Sequence, residues 1–290
     1  MKMKEDNMRK ILFLCVILLL PIYADAESVI LMIGDGMGTN HLKCANITKP
    51  LYILTLPMKG SVHTYSADSK ITDSAASATA YSCGKKTNNR YLGKLPNKEN
   101  CLTIAEEAIQ KGLSVGIYST DHPTGVTPSA FYAHTLNREN RKKIEKQKQT
   151  AAQQMDIAVP IPKISNEILT RLKKLSSNPN KKSFFAMFEG AKIDTNSHAG
   201  KLRDMKEELY DFDLAVMKAT QFVYNNPETT LIVLADHETG GLTDECKYTT
   251  GEHTSVDIPV YAYGKHAELF LGVQDNTEIY HKMYQILFQD

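Results

Sequence analysis

The 290-residue chain carries 34 Lys and Arg against 33 Asp and Glu, with 16 Gly, 11 Pro and 42% hydrophobic residues. That is an ordinary globular composition, and it excludes collagen-like and disordered chains. A formal net charge of +1 gives no global attraction to nucleic acid or to anionic lipid.

The chain opens as a secretory signal peptide would. Met8-Arg9-Lys10 is a basic start, residues 11–22 are an apolar run, and Ala24-Asp25-Ala26 is a small-x-small cleavage site. About 12 apolar residues fall short of the roughly 20 that span a bilayer, so no stable membrane anchor is expected. Cleavage after Ala26 predicts an exported chain, periplasmic or extracellular, with one catalytic domain over residues 27–290 and 30 charged groups of each sign. Cys15 leaves with the leader, while Cys44, Cys83, Cys101 and Cys246 remain. An oxidising compartment permits disulfides among them, three pairings are possible, and no Cys-x-x-Cys zinc spacing occurs.

In chain order, residues 29–33 read as a buried strand, and the small residues at 72–80 as a helix that lets other backbone come close. Helical periodicity follows at 101–111 and a second buried strand at 115–118. Residues 138–148 are dense in charge and read as a solvated helix face. Val159-Pro160-Ile161-Pro162 breaks the pattern before a helix at 166–175 and a strand at 184–188. Leu202, Met205, Leu209, Phe212, Val216 and Phe222 lay an apolar stripe along a long helix. A strand at 230–234 and an apolar run at 258–263 complete the series. Such alternation predicts an α/β fold, a three-layer sandwich whose central, mostly parallel sheet is flanked by helices.

Three of these strands run directly into acidic residues: Asp35 after the first, Glu189 after 184–188, and Asp236 with His237 after 230–234. Ligands of open α/β sheets bind beyond the carboxyl ends of the strands, so these side chains converge. Crowded carboxylates repel unless cations neutralise them, which points to a metal cluster. Asp194 and His198 stand four apart, on one side of a helical turn, as an oxygen and a nitrogen ligand of zinc would. Asp236 and His237 are adjacent, so both reach one metal only from the turn that ends their strand. His253 precedes the 258–263 run; alone it would read as structural, and it gains weight from the other members.

Ser74 begins the small-residue helix, whose N-terminus favours an anion such as phosphate, although Asp73 or Ser74 could simply be its cap. A serine needs activation at neutral pH, no Gly-x-Ser-x-Gly elbow is present, and the acidic cluster makes metal activation the economical choice. Residues 34–38 are no dinucleotide fingerprint, since Thr39 stands where a third glycine is required.

Six blocks, VILMIGDGMG (29–38), TDSAASATAYSCGKKT (72–87), VTPSAFYAHTLNRE (126–139), FEGAKIDTNSHAG (188–200), VLADHETGGL (233–242) and GEHTSVDIPVYAYG (251–264), together resemble the motifs of alkaline phosphatases, in that family's order. The resemblance implies hydrolysis of small-molecule phosphate monoesters with two zinc ions and one magnesium ion. Ser74 matches the serine that becomes phosphorylated, and Arg138 the arginine that grips two phosphate oxygens. Asp194, His198 and His253 match the ligands of one zinc, and Asp35, Asp236 and His237 those of the second. Asp35 bridges onward to magnesium, whose other protein ligands match Thr127 and Glu189.

The chain also departs from the family. It is short between Arg138 and Glu189 and between His237 and His253. Thr195 replaces a larger side chain near the phosphate. Gly125 stands where relatives hold an Asp or His that supports the magnesium shell through water, which leaves that shell an acceptor short unless Asp121 or His122 folds back. A related metallophosphodiesterase or sulfatase, or a catalytically weakened phosphate- or metal-binding homologue, remains the alternative. A homodimer is compatible with the sequence, and no residue pattern specifies one.

Overall fold

The computed structural model describes residues 27–289; the signal-peptide expectation falls on residues 1–26, outside them. Five apolar residues in succession cannot alternate between core and solvent, so β1 (Ser28–Gly34) lies buried along its whole length. It pairs in parallel with β5 (Phe184–Gly190), Val29 opposite Phe185, and with β6 (Thr229–Leu234), Val29 opposite Thr230. On the far side of β5 lie β3 (Ser114–Ser119) and the short β4 (Asp156–Ala158), both parallel. Beyond β6 the direction reverses. The 258–263 run is β9 (Ile258–Gly264), antiparallel to β6 and to β2 (Met58–His63), and β10 (Gly272–Asp275) closes the edge beside β2. Among the described residues one sheet thus has eight strands, ordered β10-β2-β9-β6-β1-β5-β3-β4.

Helices cover both faces. The stripe foreseen on the long helix is the buried side of α8 (Leu202–Asn225), which packs on α6 (Ile164–Ser176) over one face. The other face carries α2 (Ser74–Cys83), α3 (Ile104–Gln110) and α9 (Asn276–Phe288). Each fully buried Leu, Ile, Val or Phe of these layers contributes roughly 1.5–3 kcal/mol. The fold is the expected three-layer α/β sandwich.

Local chemistry shifts two boundaries. The helix expected from residue 101 begins at Ile104, because Thr103 and Glu106 form a capping box: Glu106 N–H donates to Thr103 Oγ1 (3.2 Å) and Thr103 N–H to Glu106 Oε2 (2.9 Å). The charged segment becomes helical only at α5 (Arg141–Ala151), after the Asn140 cap. Arg138 is therefore in a loop and not on that helix face. The Val159-Pro160-Ile161-Pro162 break connects β4 to α6 through a cis Val159–Pro160 bond.

Of the three possible pairings the structure adopts Cys44–Cys246 and Cys83–Cys101. The first ties α1 (Thr39–Thr48) to the loop that leads to β8 (His253–Thr254); the second anchors the carboxyl end of α2. No helix among the described residues is long and apolar enough to cross a membrane.

Candidate active site

Four neighbouring parallel strands, β6-β1-β5-β3, end at one edge of the sheet, and their ends deliver the predicted acidic residues. Asp35 follows β1, Glu189 is the penultimate residue of β5, and Asp236 and His237 lie in the turn past β6. That turn allows adjacent residues to face one point. The loop after β3 adds Asp121 and leads into α4 (Val126–Ser129), which holds Thr127. Asp194 and His198 sit a helical turn apart on α7 (Lys192–His198), with His198 Nε2 3.3 Å from Asp194 Oδ1. Close approach of α7 to the Asp35 turn needs Gly36: its φ is +73°, and a Cβ there would stand 3.0 Å from the Asp194 Cα.

Two groups of donor atoms result, Asp194 with His198 and His253, and Asp35 with Asp236 and His237; within each, the atoms lie no more than 4.8 Å apart. These are the two ligand sets that the resemblance implies. His237 Nε2 stands 3.4 Å from Asp35 Oδ1 and 3.2 Å from Asp236 Oδ2.

The tautomers follow from the hydrogen bonds on the opposite ring nitrogens. His198 Nδ1 faces the Gly251 carbonyl at 2.5 Å and His253 Nδ1 the Thr72 carbonyl at 3.0 Å. A carbonyl only accepts, so both Nδ1 atoms carry hydrogen. His237 Nδ1 faces Thr239 Oγ1 (3.2 Å), whose single hydrogen goes to Asp194 Oδ1 (2.5 Å), so here too Nδ1 donates. In the neutral form all three rings thereby aim bare Nε2 lone pairs inward, the arrangement in which a carbonyl or hydroxyl fixes a metal-binding imidazole. Two such lone pairs, on His198 and His253, are 3.1 Å apart, a contact that repels unless a cation lies between them.

The carboxylates are under the same stress. Burial, reinforced by Asp236, Asp194 and Glu189, pushes the Asp35 carboxyl well above the usual range. Burial and then Asp121 do the same to Glu189. Burial also opposes ionisation of Asp236, but His237 and the Gly36 N–H hold it low. Of six buried side-chain atoms without a hydrogen-bond partner among the described residues, four are Asp35 Oδ1, Asp236 Oδ2, Glu189 Oε1 and Thr127 Oγ1. Natural proteins leave few such atoms, so their concentration at one spot fits a site built for cations.

Ser74 is the first residue of α2, with Oγ 3.2 Å from His237 Nε2. The cap is Asp73: its Oδ1 accepts from Ala76 N–H (2.9 Å), while its Oδ2 accepts from Arg138 Nη1 (2.9 Å) and from Arg90 N–H (2.9 Å). One carboxylate therefore starts the helix and holds Arg138 beside Ser74. An open cavity of about 210 Å³ lies above, lined by Asp35, Ser74, Asp121, Arg138, Asp194 and Thr195. It is smaller than the roughly 300 Å³ of pockets that enclose drug-sized ligands, and suits a small anion.

Several supporting residues gave no signal in the sequence. His41, on α1, is fully buried, and burial pushes its pKa down to about 4. It accepts from Gly38 N–H (3.3 Å) and donates from Nε2 to Ser197 (3.0 Å), between Asp194 and His198 on α7. Partners 156 residues apart have no spacing that could announce them. Thr239 was equally hidden, because threonines near strands are common; Asp73 was legible as a possible cap, but not as the anchor of Arg138.

The family model described as "Alkaline phosphatase" matches residues 26–170, 153–251 and 243–288. Alkaline phosphatase 3 of Bacillus subtilis is 24% identical, over 91% of this chain and 89% of that protein. The alkaline phosphatase of Escherichia coli is 24% identical over 89% and 85%. The solved structure of alkaline phosphatase from the Antarctic bacterium TAB5 superposes with a TM-score of 0.80 at 27% identity, covering 91% of this chain and 98% of that one; a mutant of that enzyme with Mg bound gives 0.82 with the same identity and coverage. A motif series, a fold and a cluster of cation-seeking donors thus agree, and the chain belongs to the alkaline phosphatase family, as a phosphomonoesterase.

Proposed function

We propose that the chain hydrolyses phosphate monoesters through a phosphoserine at Ser74, with Arg138 orienting the phosphoryl group. The observation that carries this reading is the set of inward Nε2 lone pairs and orphaned carboxylate oxygens around Ser74. Asp194, His198 and His253 would hold one zinc ion, Asp35, Asp236 and His237 a second, and Asp35, Thr127 and Glu189 a magnesium ion. Imidazole-rich sets favour zinc, and a carboxylate and hydroxyl set with room for waters favours magnesium. When bound, these cations supply a lowered pKa for the serine hydroxyl and charge stabilisation for the entering and departing oxygens. The TAB5 mutant solved with Mg bound is a relative in which that cation is seen.

The chain's own residues do the rest. Ser74 Oγ, fixed at the start of a buried helix, attacks phosphorus in line with the ester oxygen; the P–Oγ bond forms as the ester P–O bond breaks and the alcohol departs. Water then attacks the phosphoserine from the side the alcohol has left, which releases phosphate and restores Ser74. Arg138, held by Asp73 with its fork toward the cavity, pairs two equatorial oxygens. The N-terminus of α2 adds its unpaired N–H groups and the positive pole of its dipole. The two disulfides suit an oxidising compartment and support export of a single catalytic domain.

Metal analysis of the purified protein, paired with turnover of an aryl phosphate, an aryl phosphodiester and an aryl sulfate, tests the reading. Zinc and magnesium with strong preference for the monoester are expected; preference for the diester or sulfate would reassign the reaction. Arg138→Ala should weaken inhibition by inorganic phosphate by about 5- to 150-fold, the equivalent of roughly 1–3 kcal/mol for charge-assisted hydrogen bonds. Arg138→Lys should recover only part of it, because an ammonium cannot reproduce two parallel bonds. Unchanged phosphate inhibition in both variants would remove Arg138 from the site.

A further inference from the structure

We infer that Asp121 is the positioning carboxylate of the third cation site, holding the water shell of the ion carried by Asp35, Thr127 and Glu189. This rests on the reading that a hydrated divalent cation occupies that place. Residue 125 is the N-cap of α4, and as a glycine it brings no side chain to the site. Its backbone does not require glycine: φ is −49° and ψ 141°, values that other residues adopt. What excludes a side chain is Asp121. A Cβ built on Gly125 would stand 2.4 Å from Asp121 Oδ2 and 2.8 Å from Asp121 Cβ and Cγ. The carboxylate of Asp121 fills the volume that residue 125 leaves free.

The loop is tied in that position. Gly125 N–H donates to the His122 carbonyl (2.7 Å), His122 N–H to Asp121 Oδ1 (2.6 Å), and Asp121 N–H to Ser119 Oγ (2.8 Å), which itself donates to Glu189 Oε2. One Asp121 oxygen is thus anchored, and the other, Oδ2, stands nearest the space that a Gly125 side chain would take. Glu189 Oε1 and Thr127 Oγ1 have no hydrogen-bond partner among the described residues, with their residues 0% and 1% exposed. Two acidic residues tied to one serine hydroxyl, with an orphaned carboxyl oxygen and an orphaned threonine hydroxyl beside them, together describe the wall of a hydrated-cation site. Magnesium retains several waters, and acceptors beyond its direct ligands hold them. The acceptor that glycine cannot supply from position 125 comes instead from four residues earlier. His122 lines the same cavity as Asp121, with its ring Nδ1 3.1 Å from Thr124 Oγ1 within the loop.

The test is calorimetric titration of magnesium chloride into zinc-loaded, magnesium-stripped protein. Wild type should bind saturably, Glu189→Gln should not, and Asp121→Asn should bind about 10- to 100-fold more weakly. Gly125→Asp alone should also lose affinity, since two carboxylates compete for one volume. The double variant Asp121→Gly/Gly125→Asp should return to within a few fold of wild type, because the carboxylate moves into vacated space on a permissive backbone. Wild-type binding by Asp121→Asn, with binding still lost in Glu189→Gln, would overturn the role of Asp121 and leave the third site intact. A loss in Asp121→Asn that the double variant fails to recover would also overturn it, marking Asp121 as a brace of the loop. Identical isotherms for wild type and Glu189→Gln would remove the third cation itself, and this inference with it.

Discussion

Ser74→Ala is expected to lower turnover of p-nitrophenyl phosphate by on the order of a thousandfold or more, and acid-quenched protein exposed to radioactive phosphate should carry no label. Bound zinc should remain near the wild-type level, because carboxylates and imidazoles furnish both donor sets. Folding should change little: the helix is capped by Asp73 and not by Ser74, so the substitution removes no cap. Some hydrolysis should persist, since Arg138 and the helix N-terminus are untouched. A label that still appears on the Ser74→Ala protein would disprove the nucleophile. A variant that loses zinc in proportion to activity would show instead that Ser74 helps to build the metal site.

Removing the cations should convert the site from an asset to a liability, and the change should depend on pH. Asp35 and Glu189 are raised well above ordinary carboxyl values, chiefly by burial and then by neighbouring carboxylates. A raised carboxyl binds more protons folded than unfolded, so stability is greatest below the unfolded value and falls as pH rises above about 4. Over the window in which both groups are protonated in the fold and ionised in the unfolded chain, the slope approaches about 1.4 kcal/mol per pH unit for each. Asp194 and Asp236 have the opposite sign, being held low, and act only as pH falls below the same region. Chelator-treated protein should therefore melt at lower temperature as pH rises from 5, with His41, held down to about 4 by burial, offsetting part of the fall below about pH 6.5, whereas the metal-loaded protein should show little of this trend. Parallel melting curves for the two forms over that range would mean that no cation offsets the carboxylate repulsion.

The fold was legible where burial is two-sided. β1, β3, β5 and β6 are continuous apolar runs because helices cover both of their faces, and each was placed within a residue or two. β2 and β10 were not foreseen: MKGSVH and GVQD lie near a sheet edge, half-buried or exposed at most positions, and show neither alternation nor an apolar run. The donor residues were legible for a related reason, since strand ends and a four-residue helical spacing mark where side chains must converge. Their arrangement into two separate ligand sets, and the roles of Ser74 and Arg138, came from the resemblance to a family. The residues that orient the donors were invisible. Thr239 and His41 act through contacts set by tertiary approach, and no periodicity encodes a hydroxyl that must accept from one neighbour while donating to another; Asp121 was legible only as one of two loop residues that could fold back.

The order of strands at the site also governs when the site can exist. Gly36 meets Asp236 across 200 residues, and His198 meets His253 across 55, so every cation would bridge segments made far apart in time. Parallel pairings of such separation close slowly, because loop entropy is lost before contacts repay it. A chain still lacking β6 offers Asp35 and Glu189 without Asp236 or His237, and one lacking β8 offers Asp194 and His198 without His253. The two histidine-bearing donor sets are therefore completed only late in the chain, one at His237 and the other at His253. Capture of ions by those two sets is then a late event in maturation, one that ties β1 to strands and loops made long after it.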